Sequence, residues 1–366
     1  MPVANTMGGL DGIVVVGIVV LIILTLIVLW WIRTKLTLDS ANCDNMNKLY
    51  NKAATLSTMS TSSAYKLRDY YIKTAYNCCA SGQFKNDFVN VCALKNCLKQ
   101  GARCLDFQIY SIDNLPVIAV SSLNDFYVKE TFNSVPFATA MQVVADFAFA
   151  TSFCPNAGDP LILHLRLQTS NTLVCDSIAA TLQRLLSDKL LDAEYSFEKN
   201  FSNFGAVPLK ELMGKVVLIV DKTNALYEGT QLAEFVNLAS SQNFMRILRA
   251  YDIKFSPDLN ELIEFNKQYM SISMPDLRVN ASNDGVLMPL KAGVQMIGMC
   301  FQKYDANMIY YQKMFDKAGN AFILKPPELR YQPVFIAPAR PAPESWNSAA
   351  KAIDTDIPLP PSASTV

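Results

Sequence analysis

Gly101-Ala-Arg-Cys-Leu-Asp-Phe-Gln-Ile-Tyr-Ser-Ile-Asp-Asn-Leu-Pro-Val-Ile-Ala-Val-Ser-Ser122 is the stretch whose reading decides the fold. Cys104, Asp106 and Gln108 alternate with Leu105, Phe107 and Ile109, the period of a strand with two unlike faces. Asp113-Asn114 reads as a turn, and Pro116 to Val120 resumes the sheet. One face of the first strand therefore carries a carboxylate and an amide into a place that the other face would fill with hydrocarbon.

Outward from this stretch, helices and strands alternate. Tyr70 to Ala75 reads as a strand, and Phe88 to Leu98 as a helix closed by Gly101. Pro136 opens a second helix running to Phe149. Leu161 to Leu167 is a strand, Leu173 to Leu191 a helix, and Val216 to Val220 a wholly apolar strand of the kind parallel sheets bury. Thr230 to Ala239 and Pro257 to Tyr269 read as helices, and Gly293 to Cys300 as another buried strand. This order implies a parallel α/β sheet, and with this many units a closed (β/α)8 barrel. Such a barrel needs roughly 250 residues, and the chain has 366.

The ends differ from this pattern. Gly12 to Ile32 is an unbroken apolar run in which Thr25 is the only polar side chain. A run of that length is about 32 Å of helix, enough to cross a bilayer, and Trp30 and Trp31 sit where interfacial aromatics belong. A cleaved signal peptide fits less well, because Asp11 rather than a cation precedes the run and no small-residue cleavage site follows. Arg33 and Lys35 follow the run, so the positive-inside rule places the large domain on the cytoplasmic side. The expected organisation is a membrane anchor at 1–36 with its transmembrane helix at 12–32, a stalk or lid at 37–66, the barrel at 67–335, and a Pro/Ala/Ser-rich flexible tail at 336–366.

Composition excludes several functions. Half the residues are hydrophobic and only 17% are charged, with Lys plus Arg equal to Asp plus Glu at 32 each. Without a basic excess, nucleic acid is not an expected partner. The single histidine, His164, rules out a mechanism needing two imidazoles and a zinc site built on several. The nine cysteines are expected as buried reduced thiols, since a barrel of this size does not need staples. Cys92 and Cys97 point about 140° apart on a helix and cannot share a metal. The sequons at Asn200 and Asn280 matter only for a lumenal domain.

The opening stretch resembles the second and third barrel strands of the eukaryotic-type phosphoinositide-specific phospholipases C, which read roughly Gly-Cys-Arg-Cys-Val-Glu-Leu-Asp-Cys-Trp and then Pro-Val-Ile-Tyr-His-Gly-His. Further pieces follow in the family's order. Tyr71-Ile-Lys-Thr-Ala-Tyr-Asn-Cys-Cys resembles Phe-Ile-Ser-Ser-Ser-His-Asn-Thr-Tyr, and Pro160-Leu-Ile-Leu-His-Leu-Arg-Leu-Gln resembles Pro-Val-Ile-Leu-Ser-Leu-Glu-Asn-His. Leu212-Met-Gly-Lys-Val-Val-Leu-Ile, Asp276-Leu-Arg-Val-Asn-Ala-Ser-Asn and Gly293-Val-Gln-Met-Ile-Gly-Met resemble later segments.

The resemblance implies the phospholipase barrel without its chemistry. The family's two catalytic histidines, a general base and acid pair, fall on Tyr76 and Ser122, and neither a phenol nor an aliphatic hydroxyl exchanges protons near neutral pH as imidazole does. The family's calcium ligands fall on Asn77, Asp106, Gln108 and Arg166. Only one of these is a carboxylate, and a guanidinium repels a dication, so no metal and no cofactor are expected. Arg166 is expected to occupy the metal's place, bonded to Asp106, with Asn77 or Gln108 completing its shell. His164 shares a face with Arg166 and is expected as a hydrogen-bonded lumenal residue. A serine hydrolase using Ser121 or Ser122 with His164 lacks a Gly-x-Ser-x-Gly elbow.

The expected function is therefore a membrane-anchored, catalytically degenerate phospholipase relative. It would act as a scaffold for protein partners in a setting such as a membrane-containing viral particle or an organelle coat. The alternatives are a phosphoinositide headgroup-binding module, for which Lys222 and Arg278 are the candidate contacts, and an active phosphoric diester hydrolase with a rearranged site.

Overall fold

The computed structural model describes residues 7–60, 65–123 and 128–333. The expected tail at 336–366 lies outside the described residues. The chain begins with one long helix, α1 (Met7–Leu49). Its apolar part is long and hydrophobic enough to cross a membrane, and none of that window is buried against the rest of the protein. What reads as a separate stalk is the continuation of the same helix, which turns from apolar to amphipathic and packs Met46 onto the barrel, with Tyr50 just beyond its end.

The strands are β1 (Tyr70–Ala75), β2 (Cys104–Ile112), β3 (Leu115–Ile118), β4 (Val135–Pro136), β5 (Leu161–Leu167), β6 (Val216–Asp221), β7 (Leu238–Ser240), β8 (Met245–Arg249), β9 (Met270–Met274), β10 (Met296–Met299) and β11 (Phe322–Leu324). Eight of them form a parallel sheet in the order β7-β6-β5-β2-β1-β10-β9-β8. The sheet curls into a nearly closed barrel, with β7 and β8 meeting at the seam without a ladder. The connecting helices are α2 (Val91–Lys99), α3 (Phe137–Phe147), α4 (Leu173–Leu186), α5 (Phe197–Asn200), α6 (Ala250–Lys254), α7 (Leu259–Gln268), α8 (Leu287–Lys291) and α9 (Ala306–Ala318).

Three expectations are corrected. Pro116 to Val120 is not a barrel strand: β3 folds back antiparallel on β2, pairing Ile109 with Ile118, and β5 takes the place beside β2, pairing Cys104 with Ile162. The cause is the two-residue turn. Asp113 and Asn114 both adopt positive φ (51° and 62°), as a tight hairpin demands, whereas a parallel neighbour needs a crossover of a dozen or more residues. Three barrel strands therefore lie within the part of the chain ending at Leu167 and five follow Lys215. The second barrel strand past Lys215 comes from Thr230 to Ala239, which is a short 3-10 turn (Gln231–Phe235) leading into β7 rather than a helix. Closure of the sheet overrides the local helical pattern there.

The third correction concerns the thiols. Cys43 on α1 is disulfide-bonded to Cys92 on α2, while Cys78, Cys79, Cys97, Cys104, Cys154, Cys175 and Cys300 are free and buried. The bond does not staple the barrel. It ties α1 to the barrel's first helix, alongside the packing of Met46 on the core.

The layers follow from strand period. Leu161, Leu163, Leu165 and Leu167 face the helices and are buried to 2% exposure or less, each stabilising by about 1.5–3 kcal/mol. Ile162, His164 and Arg166 point the other way, into the barrel. Gly101 closes α2 with φ +73°, and a Cβ there would lie 2.5 Å from Leu56 Cδ1, so the chain needs glycine to lead into β2.

Candidate functional site

Strand parity places Asp106 of β2 and Arg166 of β5 inside the barrel, with Arg166 one residue from the C-terminal end of β5, the end where barrel enzymes carry their chemistry. The register pairs Asp106 with His164 and Gln108 with Arg166. The Asp106 side chain is fully buried. Arg166 Nε donates to its Oδ1 at 2.9 Å and Arg166 Nη2 to its Oδ2 at 2.6 Å, a bidentate fork. Arg166 Nη2 also donates to Asn77 Oδ1 at 2.7 Å. The Asn77 backbone N–H donates to Asp106 Oδ2 at 3.1 Å, from a left-handed conformation (φ 44°) that asparagine tolerates. The guanidinium carbon lies 4.9 Å from the centre of the Tyr76 ring, a cation–π contact.

His164 continues the cluster. Its Nδ1 lies 2.8 Å from Asp106 Oδ1 and its Nε2 lies 3.0 Å from Ser240 Oγ on β7. Because an ionised carboxylate only accepts, a proton is assigned to Nδ1, which donates to Asp106, and Nε2 faces the Ser240 hydroxyl. Burial alone would raise the Asp106 carboxyl. The Arg166 guanidinium and His164 outweigh it and hold the group well below the usual carboxylate range. Burial would likewise lower Arg166, and Asp106 more than restores it. The pair is therefore ionised at any ordinary pH.

Arg166 thus meets Asp106 and Asn77 as its sequence position implies, but Gln108 takes no part in its shell. Gln108 Oε1 accepts instead from the Ser121 N–H at 3.0 Å and fixes the strand after the β2–β3 hairpin. Ser122 sits in a separate cluster. Its hydroxyl and its N–H, the latter at 2.7 Å, donate to Glu130, which also pairs with Lys85 at 2.7 Å. Burial works against the Glu130 carboxylate, yet Lys85 and Ser122 hold it down at about 2. No contact links Ser121 or Ser122 to His164 among the described residues, so no nucleophile–base pair is assembled. Sequence reasoning missed Ser240 and Glu130. Both lie in polar segments without a period, and neither carries a local signal.

Lys222 and Arg278 do not converge. Lys222 is paired with Glu228. Arg278 is held by Asp284 at 2.5 Å and Asp276 at 3.2 Å. The mouth itself holds a cavity of about 200 Å³ lined by Arg166, Gln168, Asp221, Arg249, Asp252 and neighbours, without either residue. A larger groove of about 680 Å³ lies outside the mouth between α6, α8 and α9, with Arg278 on its wall.

The calcium that the resemblance implies does not fit these residues. A hard dication takes six to eight oxygens, several of them anionic. The place holds one carboxylate, already engaged by a guanidinium. Among the described residues no group of three or more His, Cys, Asp or Glu side chains could hold a metal ion.

Comparison with known proteins agrees with the fold. Two solved structures, PLC21 from L. pealei and PLC21 from S. officinalis, superpose with TM-scores of 0.59 and 0.60 at 17% and 16% identity, each covering 73% of this chain. The chain spans only 38% of the length of each. No curated protein sequence matches it. The model of the phosphatidylinositol-specific phospholipase C X domain matches residues 64–222, and that of the Y domain matches residues 225–328. The two meet between β6 and β7 and together span the whole barrel, so the chain belongs to the phosphatidylinositol-specific phospholipase C family.

Proposed function

We propose that this family member is a membrane-anchored pseudoenzyme that serves as a structural scaffold. The observation that carries the reading is the Arg166 guanidinium, seated on Asp106 and Asn77 at 2.6–2.9 Å. An organic cation fixed there does structurally what a metal would do, holding the ends of β1, β2 and β5 together, and supplies no open coordination position for a phosphodiester. Tyr76 and Ser122 stand where an acid–base pair is required, and both are committed to internal contacts. Lys222 and Arg278 are each neutralised by carboxylates, which favours the scaffold over a phosphoinositide-binding module. Protein partners would meet the barrel's outer surfaces within a membrane-bounded assembly such as an organelle coat or a viral particle.

Residues 12–32 act as the anchor in this reading, because the helix runs without a break from the apolar run to Cys43, which is covalently held to the barrel. The disulfide also bears on sidedness. Such bonds persist in oxidising compartments, which argues against the cytoplasmic placement that Arg33 and Lys35 suggest; protease protection of sealed vesicles decides the matter.

The test of function is turnover. Full-length protein in mixed micelles with phosphatidylinositol or its phosphates should release no inositol phosphate, with or without calcium. Release that disappears in Tyr76→Phe, Ser122→Ala or His164→Asn would overturn the pseudoenzyme reading.

A further inference from the structure

The cysteines divide by burial. All seven free thiols are buried. Cys43 and Cys92 are partly exposed, and they are the two that are bonded. Burial raises the thiols of Cys97, Cys104 and Cys300, which keeps them inert, because the thiolate is the species that exchanges. A domain folding among oxidants would form this one bond and leave the buried thiols reduced. In the cytosol, a bond at so accessible a place would be kept reduced. The pattern therefore favours a barrel on the oxidising side of the membrane. Arg33 and Lys35 point the other way, but two charges bias an orientation without fixing it.

On that side the two sequons, Asn200-Phe-Ser202 and Asn280-Ala-Ser282, acquire a meaning. Both asparagines are exposed. Asn280 lies in the loop between β9 and α8, and the loop is pinned on either side of it. The Phe84 N–H donates to the Val279 carbonyl at 3.1 Å, and the Ala281 N–H donates to Gln83 Oε1 at 2.6 Å. Between these ties the Asn280 amide stands in solvent without a hydrogen bond among the described residues. Asn200 ends α5, and its Nδ2 donates to the Glu194 carbonyl. A substituted amide keeps one N–H, so that bond survives modification. The two sites stand at opposite ends of the barrel. Asn280 follows the C-terminal end of β9. Asn200 lies at the other end, where the Phe197 N–H donates to the Val236 carbonyl ahead of β7 and Asn203 Nδ2 to the Gln268 carbonyl ahead of β9.

From these observations we infer that the barrel faces the lumenal or external side of the membrane and that Asn200 and Asn280 each carry an N-linked oligosaccharide. The donor is of the lipid-diphosphate-linked oligosaccharide class, used by a glycosyltransferase of the host cell. Asn Nδ2 forms a bond to the anomeric carbon as the bond from that carbon to the diphosphate oxygen breaks. The lipid diphosphate leaves with the bonding pair, the amide gives up one proton to a base, and nothing is oxidised or reduced. The inference rests on the sidedness that the disulfide favours and is independent of the pseudoenzyme reading. Each glycan is bulky and hydrated, and neither would displace a packed side chain at these exposed positions. One would stand beside the mouth and the other at the far end, which leaves the helical flanks of the barrel to protein partners.

The test translates the full chain in a eukaryotic cell-free system with endoplasmic-reticulum microsomes. Peptide N-glycosidase should lower the apparent mass by two discrete steps. Asn200→Gln and Asn280→Gln should each remove one step, and the double variant should show none. Ser202→Ala and Ser282→Ala keep the asparagines and should remove the same steps, because the acceptor needs the hydroxyl two residues on. A single step overturns the assignment of the asparagine whose replacement leaves it unchanged, and the absence of any shift overturns both. Protease added to sealed microsomes reads the side by itself. A protected barrel without a shift overturns the glycan sites and leaves the lumenal placement standing. A digested barrel overturns the placement and the sites with it. Carbonate extraction of the same microsomes separates the anchor: a chain that carries both glycans and is released by carbonate overturns the anchor reading of residues 12–32 and upholds the inference drawn from the sequons.

Discussion

Replacing Arg166 tests the reading of the barrel mouth most directly. Arg166 is 4% exposed and donates twice to Asp106 and once to Asn77. Arg166→Met removes the cation and leaves a fully buried carboxylate with only the Asn77 N–H and His164 as partners. Breaking one side of a buried pair costs about 3–5 kcal/mol, and the two surviving partners place the expected loss near 3 kcal/mol, at the lower end of that range. For a domain of this size, that is a fall of roughly 5–10 °C in Tm. Asp106→Asn should cost a similar amount by stranding the guanidinium. The double variant removes both charges, and it should lie within about 1.5 kcal/mol of the parent, because a buried pair is close to neutral against an uncharged replacement. The assay is urea unfolding of the full chain in mild detergent, followed by circular dichroism. The decisive quantity is the coupling between the two sites, expected at about 4 kcal/mol or more from these values. Additive effects, or single variants within about 0.5 kcal/mol of the parent, would refute the claim that the guanidinium is the structural replacement for a metal.

Three other outcomes are expected. Arg166→Glu combined with Gln108→Asp should create a weak calcium site, read as calcium-dependent thermal stabilisation absent from the parent; no shift at millimolar calcium would count against the placement of these residues. Cys43→Ser with Cys92→Ser should lower stability by about 2–4 kcal/mol, read as earlier protease cleavage between α1 and the barrel, and an unchanged cleavage rate would deny the disulfide its clamping role. Lys325, whose Nζ is buried and donates to the Asn266 carbonyl at 3.0 Å, has its ammonium pushed down to about 7 by burial. Above that pH the folded lysine is neutral while the unfolded one keeps its proton up to about 10.4, so this group makes stability rise between those values. Lys325→Met should therefore stabilise the protein at pH 6 by a few kcal/mol, with the gain fading towards pH 10; a gain independent of pH would show that packing, not charge burial, is responsible.

Much of the fold was legible because it is periodic. The alternation in Leu161–Leu167 set which side chains enter the barrel, and with it the meeting of Arg166 and Asp106. That inference needs only parity and a parallel neighbour, and both are properties of short segments. The apolar run at 12–32 is local in the same sense, since its length alone fits a bilayer. The family followed from the order of several weak matches, which no single segment would have supplied.

What the tertiary structure alone decided is pairing. Whether Pro116–Val120 lies in the barrel or folds over β2 depends on the partner it finds, and β5 outcompetes it from more than forty residues away. Leu238–Ser240 becomes a strand because the sheet must close, against a local pattern that favours a helix. Cys43 and Cys92 are 49 residues apart, and nothing in either neighbourhood says that α1 will be bonded to the barrel's first helix. Ser240 reaches His164 and Glu130 reaches Ser122 across loops with no repeat. Residues determine period and face through bonds a few atoms long. Closure, register and the placement of α1 are set by contacts between distant segments, whose free energies exist only once the chain has folded.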